Sequence, residues 1–265
     1  MEITLFTSNQ ARHNYLANQL LNVATKLNVV QESYKISSRI VPNHYTNSTL
    51  MKEYFLNVSS AQEKLFENPT ILKTNKNINL LSLKGGDLNK CSIKFLSNFL
   101  KSDIYIVFGS SYIKGELANF LIKNKALNIH MGVSPYYRGT DCNFWALFDG
   151  NPHLVGATIH MLSKGLDSGP MLYHALSEIK DDPFLYTMST VKSAFHSLAE
   201  RIKSGKIFKY STQVQDNVNE IRYSKKKEFN DKVVELFLSK KIDLNKKKFN
   251  KKLYKDPYFL KNETS

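Results

Sequence analysis

The sequence predicts an α/β fold: an open, mostly parallel twisted sheet with helices on both faces and a short helical C-terminal tail. Three observations carry this. The chain opens as strand, helix, strand, the start of a βαβ unit. Ile104-Tyr105-Ile106-Val107-Phe108 is a short unbroken apolar run, the composition of a strand buried on both faces. Strand-like and helix-like stretches then alternate as far as the long apolar-faced segment 184–203. Residues 1–205 are expected to form one domain. Residues 206–265 are expected as a basic, mainly helical extension packed on it.

Ile3-Thr4-Leu5-Phe6 reads as the first strand, and Thr7-Ser8-Asn9-Gln10 as a polar turn in which Ser8 or Asn9 caps the next helix. Leu16, Leu20, Val23, Ala24 and Leu27 recur at helical spacing, and Val29-Val30 starts a second strand. No Gly-x-Gly-x-x-Gly stands in this unit, so a dinucleotide fingerprint is not supported. Loops at the carboxyl ends of parallel strands bind ligands, which makes Asn9, Gln10 and Arg12 candidate substrate contacts. Further helices are expected near 50–66, 93–100, 117–122, 143–148 and 233–238, with strands at 78–83, 126–130, 155–162 and 171–173. Gly85-Gly86 reads as a turn, residues 131–139 as a loop, and Asp256-Pro257-Tyr258-Phe259 as a terminal turn.

Composition sets the outer limits. With 42% hydrophobic and 23% charged residues, the chain is an ordinary globular one. No stretch approaches the ~20 apolar residues of a membrane span, and the N-terminus lacks the pattern of a signal peptide. Cys91 and Cys142 are far apart and have no metal-ligand spacing, which fits a reducing cytoplasm. The seven His make no metal site with the acids around them. The net charge is +14, and residues 222–265 hold fourteen Lys and Arg against six Asp and Glu. After Arg138 the only arginines are Arg201 and Arg222, so the excess is Lys on solvated faces. Attraction of a phosphate-bearing substrate is the functional alternative.

The chemistry concentrates in Asn128-Ile129-His130 and in Asp167 of Gly165-Leu166-Asp167-Ser168-Gly169. Strand alternation puts Asn128 and His130 on one side. A neutral amide donates to a developing oxyanion, an imidazole moves a proton or stabilises charge, and a carboxylate orients that imidazole. His160 is expected to support this group rather than to act as a catalyst.

The run Asn128-Ile129-His130-Met131-Gly132-Val133-Ser134-Pro135-Tyr136-Tyr137-Arg138-Gly139, followed by Leu166-Asp167-Ser168-Gly169, resembles the folate-dependent formyltransferases. The family often has Pro where Met131 stands and Leu where Ser134 stands. The interval from His130 to Asp167 is similar to the family's. The resemblance implies a Rossmann-like formyltransferase fold, with Asn128, His130 and Asp167 catalytic and 10-formyltetrahydrofolate as co-substrate. It implies folate contacts at Phe108, Gly109, Gly132, Val133, Ser134 and Pro135. Arg138, Tyr136 and Tyr137 join Asn9, Gln10 and Arg12 as candidates for the acceptor. A single domain with a helical tail and a Tyr-Tyr-Arg-Gly loop is most similar to the bacterial nucleotide-sugar N-formyltransferases. Their acceptors are GDP-perosamine-type or dTDP-linked amino sugars for O-antigen or capsule synthesis, and they work as homodimers. Methionyl-tRNA formyltransferase, acting on initiator tRNA, is the alternative. The tail has too few strand signals for that enzyme's C-terminal β-barrel.

Overall fold

Nine strands and six α-helices occur in the computed structural model, which describes residues 1–34, 41–42, 45, 47–66 and 70–244. In chain order they are β1 (Glu2–Ser8), α1 (Ala11–Leu21), β2 (Lys26–Ser33), α2 (Thr49–Leu65), β3 (Ile78–Lys84), β4 (Ile104–Val107), α3 (Gly115–Lys123) and β5 (Leu127–His130). There follow β6 (Tyr137–Gly139), α4 (Cys142–Phe148), β7 (Ala157–Met161), β8 (Met171–Ala175), α5 (Pro183–Lys203), β9 (Arg222–Ser224) and α6 (Asp231–Ser239).

Seven strands form one sheet in the order β3-β2-β1-β4-β5-β7-β8. The first five are parallel, and β7 pairs antiparallel with both β5 and β8. From β1 the chain first builds toward β3, then crosses over to build β4 and β5 on the other side. The crevice beyond the carboxyl ends of β1 and β4 is thus a topological switch point, where open α/β sheets bind ligands.

Alternation along the strands feeds two cores. Ile3 and Leu5 of β1 pack with Val29, with Leu16 and Leu20 of α1, and with Phe195, Leu198 and Ile202 of α5. Phe6 points the other way and joins Val30, Tyr105 and Val107 under Leu117 and Leu121 of α3. A third cluster lies beyond the sheet. There Phe144, Trp145 and Leu147 of α4 meet Met51 of α2 and Phe229, Val234 and Phe237 of the tail.

Several expectations are corrected. The stretch 93–100 is not an α-helix: only Ser97–Phe99 winds, as a single 3-10 turn. Ser92 Oγ accepts from the Phe95 amide, a local bond that competes with helix, and Phe95 itself stays exposed. Helix α1 stops at Leu21, and Leu27 belongs to β2. Its N-cap is Gln10, with no side-chain cap. Ser8 instead bonds His13, and Asn9 both donates to and accepts from the Tyr34 backbone. The end of the 131–139 loop is strand β6, paired in parallel with β9 of the tail. The expected turn at 256–259 lies outside the described residues.

Candidate active site

Strand β5 carries Asn128 and His130 to the crevice edge, and its antiparallel neighbour β7 sets His160 opposite Asn128 and Thr158 opposite His130. The loop from β7 to β8 returns Asp167 over both. Asp167 holds a left-handed backbone angle (φ 47), which Asp tolerates better than most side chains.

Asp167 links the other two. One carboxylate oxygen lies 3.2 Å from His130 Nδ1, and the other accepts from Asn128 Nδ2, also at 3.2 Å. His160 Nδ1 faces the Met161 carbonyl at 2.8 Å and so carries the hydrogen. That leaves His160 Nε2 to accept from Asn128 Nδ2 at 3.0 Å. Both hydrogens of the Asn128 amide are therefore engaged inward. Reversing the amide would set its oxygen against the carboxylate, so the orientation follows from charge.

His130 Nε2 lies at a long 3.3 Å from the Tyr137 carbonyl, and the Cys142 thiol also bonds the ring. Burial opposes charge on this ring, yet the Asp167 carboxylate outweighs it and holds the His130 pKa well above that of an ordinary histidine. Burial likewise opposes the Asp167 charge, and the His130 cation outweighs it, keeping this carboxyl well below the usual range. The two are a buried, mutually charged pair at neutral pH. Gly132 is required beside them: a Cβ there would lie 2.6 Å from both His130 Nε2 and Cys142 Cβ.

The loop after β5 is locked from below. Thr158 Oγ donates to Gly132 O (2.6 Å) and accepts from Ser134 N (2.9 Å). Burial lowers the His174 pKa to about 4, so this ring is neutral and donates from Nε2 to Ser134 O at 2.7 Å. Gly132, Val133, Ser134 and Pro135 are all buried. Phe108 is buried edge-on against His13 and Phe195, and Gly109 turns with positive φ beneath the His13 ring.

The candidate acceptor contacts divide. Tyr137 is 1% exposed, with its hydroxyl bonded to Asp149 and Asn151, so it is a core residue rather than a reader of substrate. Tyr136 is buried too. Arg138 bonds Glu220 and Asn217 and lies over the Tyr223 ring, which ties the loop to the tail. Asn9 and Gln10 are occupied as described above. Arg12 bonds Gln62 alone among the described residues, and burial lowers its pKa to about 10. It keeps the capacity for an anion.

Sequence reasoning missed two participants. Glu32, fully buried at the end of β2, accepts from the backbone amides of Gly86, Leu88 and Ser111 and from Ser111 Oγ. It pins the turn after β4. Gln215 of the tail donates to the carbonyls of Asp167 and Gly169. An acidic residue ending a parallel strand was visible as a signal for the first. Nothing local announced the second. Among the described residues no group of three or more His, Cys, Asp or Glu is placed to hold a metal ion, and no helix is long and apolar enough to cross a membrane.

Residues 100–207 match the family model described as formyl transferase. Methionyl-tRNA formyltransferase of Wigglesworthia glossinidia brevipalpis is 31% identical over 134 residues, 48% of this chain and 41% of that one. The Thermotoga neapolitana enzyme of the same name is 35% identical over 95 residues, 36% of this chain and 29% of its own. The chain thus spans well under half the length of these curated relatives. Among solved structures, glycinamide ribonucleotide transformylase 1 from Symbiobacterium toebii aligns with a TM-score of 0.52 at 14% identity, covering 82% of this chain and 94% of that one. An N-formyltransferase from Helicobacter canadensis, in complex with folinic acid and dTDP-3-aminofucose, aligns at 0.51 with 13% identity, covering 87% and 73%. At these identities the likeness establishes the fold, which is that of the formyltransferases.

Proposed function

We propose that this formyltransferase-fold chain, whose residues 100–207 match that family, moves a formyl group from 10-formyltetrahydrofolate to the primary amine of a nucleotide-linked amino sugar. The observation that carries the reading is the meeting of Asn128, His130 and Asp167 at the open end of the sheet, with Asp167 at 3.2 Å from each partner. The co-substrate supplies an activated formyl carbon; the chain supplies orientation, charge and proton movement. Tyr112 and Leu166 stand half exposed on facing loops, joined by a bond from Tyr112 Oη to Lys164 O at 2.8 Å. Leu166 adjoins Asp167 in the chain, and the pair suits one face of a flat ring.

The charged His130 ring has one weakly used N–H, at Nε2, and this is the donor for the oxyanion. In this reading Asn128 acts through its carbonyl rather than as the oxyanion donor expected from the sequence. With both amide hydrogens turned inward, its free carbonyl oxygen accepts from the attacking amine and aims the nitrogen lone pair. Asp167 keeps His130 charged, and as the bond from the formyl carbon to the folate N10 breaks, the proton the amine loses is relayed by the Asp167 carboxylate and water to that N10.

The acceptor reading rests on resemblance, and the tail supports it. Strand β9 and Gln215 bind the described part of the tail, residues 206–244, to the rest of the chain, so we treat 1–205 as the catalytic unit and 206–265 as its extension. A cytoplasmic homodimer serving O-antigen or capsule synthesis accompanies this reading. The curated relatives favour a second one, formylation of initiator tRNA. Turnover is measured with 10-formyltetrahydrofolate against GDP- and dTDP-linked amino sugars and charged initiator tRNA, following folate release. The first reading expects one sugar nucleotide to react with a shallow salt dependence. Reaction only with tRNA, falling steeply with salt, overturns it.

A further inference from the structure

The loop that carries Asp167 is gripped from the tail. Met171 and Gln213 exchange backbone hydrogen bonds at 2.7 and 2.8 Å. Two residues on, Gln215 Nε2 spends both hydrogens on the same loop, 2.7 Å to Asp167 O and 2.8 Å to Gly169 O. Gly169 has no slack of its own, since a Cβ there would lie 1.7 Å from Met161 O. Gln215 Oε1 is left buried without a partner. A buried unmatched acceptor costs stability, so this side chain is not explained by stability alone. The amide cannot turn over to satisfy it, because its oxygen would then face two carbonyls. The same segment continues to the other side of the site: the Ile221 and Arg222 amides donate to Tyr136 O, next to the Tyr137 carbonyl that faces His130.

We infer that Gln215 is a positioning residue for Asp167: it fixes the main chain of the 163–170 loop and thereby the carboxylate's reach to His130 and Asn128. The tail segment 213–224 is then part of the catalytic apparatus. This rests on the proposed role of Asp167, and the test separates the two.

Gln215→Met keeps the length of the side chain and removes both donors. Gln213→Ala is the control, because Gln213 acts through its backbone and its side chain is exposed. The first readout is the His130 ring, titrated by NMR in the full-length protein with labelled histidine and assigned with His130→Gln. Facing that ring are Asp167, His160 of β7, His174 of β8 and Cys142 of α4. Only Asp167 is touched by Gln215. The His130 titration is expected to fall toward 6.5 in Gln215→Met, in the same direction as in Asp167→Asn, and to stay in place in Gln213→Ala. The second readout is turnover: kcat is expected to drop on the order of 100-fold, as for a misplacement near 1 Å, with KM for both substrates within about twofold of wild type. If Gln215→Met does not fold, Gln215→Asn, which keeps the amide but pulls it back, is expected to give a smaller shift of the same sign. A folded variant with an unmoved His130 titration overturns the inference. Wild type without turnover on any amine would overturn the proposed activity, while the titration still decides Gln215.

Discussion

Asp167→Asn tests the charged pair without disturbing its shape. Asn tolerates the left-handed backbone angle of residue 167, and its oxygen can still accept from His130 or Asn128. The charge is lost together with one of the two accepting oxygens, and only the part due to charge depends on pH. At 3.2 Å, unit charges attract by roughly 5 kcal/mol at an effective dielectric of 20. Desolvation of two largely buried groups cancels much of this, leaving about 2 kcal/mol. The pH window follows from the shifts. The His130 pKa is raised, so its contribution is complete below its unfolded value and is lost as pH rises through the folded one. The Asp167 pKa is lowered, so its contribution is present above its unfolded value and is lost as pH falls through the folded one. The pair is therefore worth most between about pH 4 and pH 6.5. Thermal melts of wild type and Asp167→Asn across pH 5 to 9 should show a gap of about 4–8 °C near pH 6, closing steadily toward pH 9. A gap that does not change with pH would refute the charged state of His130.

Three further outcomes follow from packing at and around the site. Gly132→Ala pushes a methyl into His130 and Cys142; a cost of about 1–3 kcal/mol in denaturant unfolding is expected, with turnover reduced more than folate binding. Phe144→Ala opens a cavity among Trp145, Phe229 and Phe237; the loss should be about 3–5 kcal/mol by denaturant titration. Arg222→Ala removes two hydrogen bonds donated to the Asp149 carboxylate and a guanidinium 4.3 Å from the ring centre of Trp145. It should cost about 1–2 kcal/mol and shift the fluorescence of Trp145, the only tryptophan in the chain.

What was legible in the sequence was what is local or periodic. The run 104–108 announced a buried central strand because both its faces are covered. The long helix 183–203 declared its buried face by its apolar repeat. Asn128 and His130 were placed together by a period of two. Their approach to Asp167 came from resemblance, since no rule of spacing brings residues 39 apart into contact. Two of the errors share one cause. At 93–100 the apolar residues suggested a helix, and a serine hydroxyl offered the backbone a nearer partner. Ser8 and Asn9 looked like caps, and each found a stronger partner elsewhere, on His13 and on the Tyr34 backbone. In both cases a single side-chain hydrogen bond decided against a statistical preference.

The tail shows the same limit from the other side. Its charge was readable and its purpose was not. Arg222 is drawn inward to Asp149 and Trp145, while Lys225, Lys226 and Lys227 beside it stay exposed. The backbone of β9 and the amide of Gln215 do much of the attaching, and neither a three-residue backbone pairing nor a single amide leaves a periodicity that a window of sequence could register. A parallel pair as short as β6 with β9 gains little alone. It holds because Arg138 reaches Glu220, Gly139 lies against the Ser224 carbonyl with no room for a Cβ, and the Tyr136 carbonyl takes two amides from the returning chain. The basic segment is thus anchored by its few non-lysine residues, and those anchors fall on the two loops that frame His130 and Asp167. Charge made the tail conspicuous, but attachment to those loops is what ties it to the chemistry.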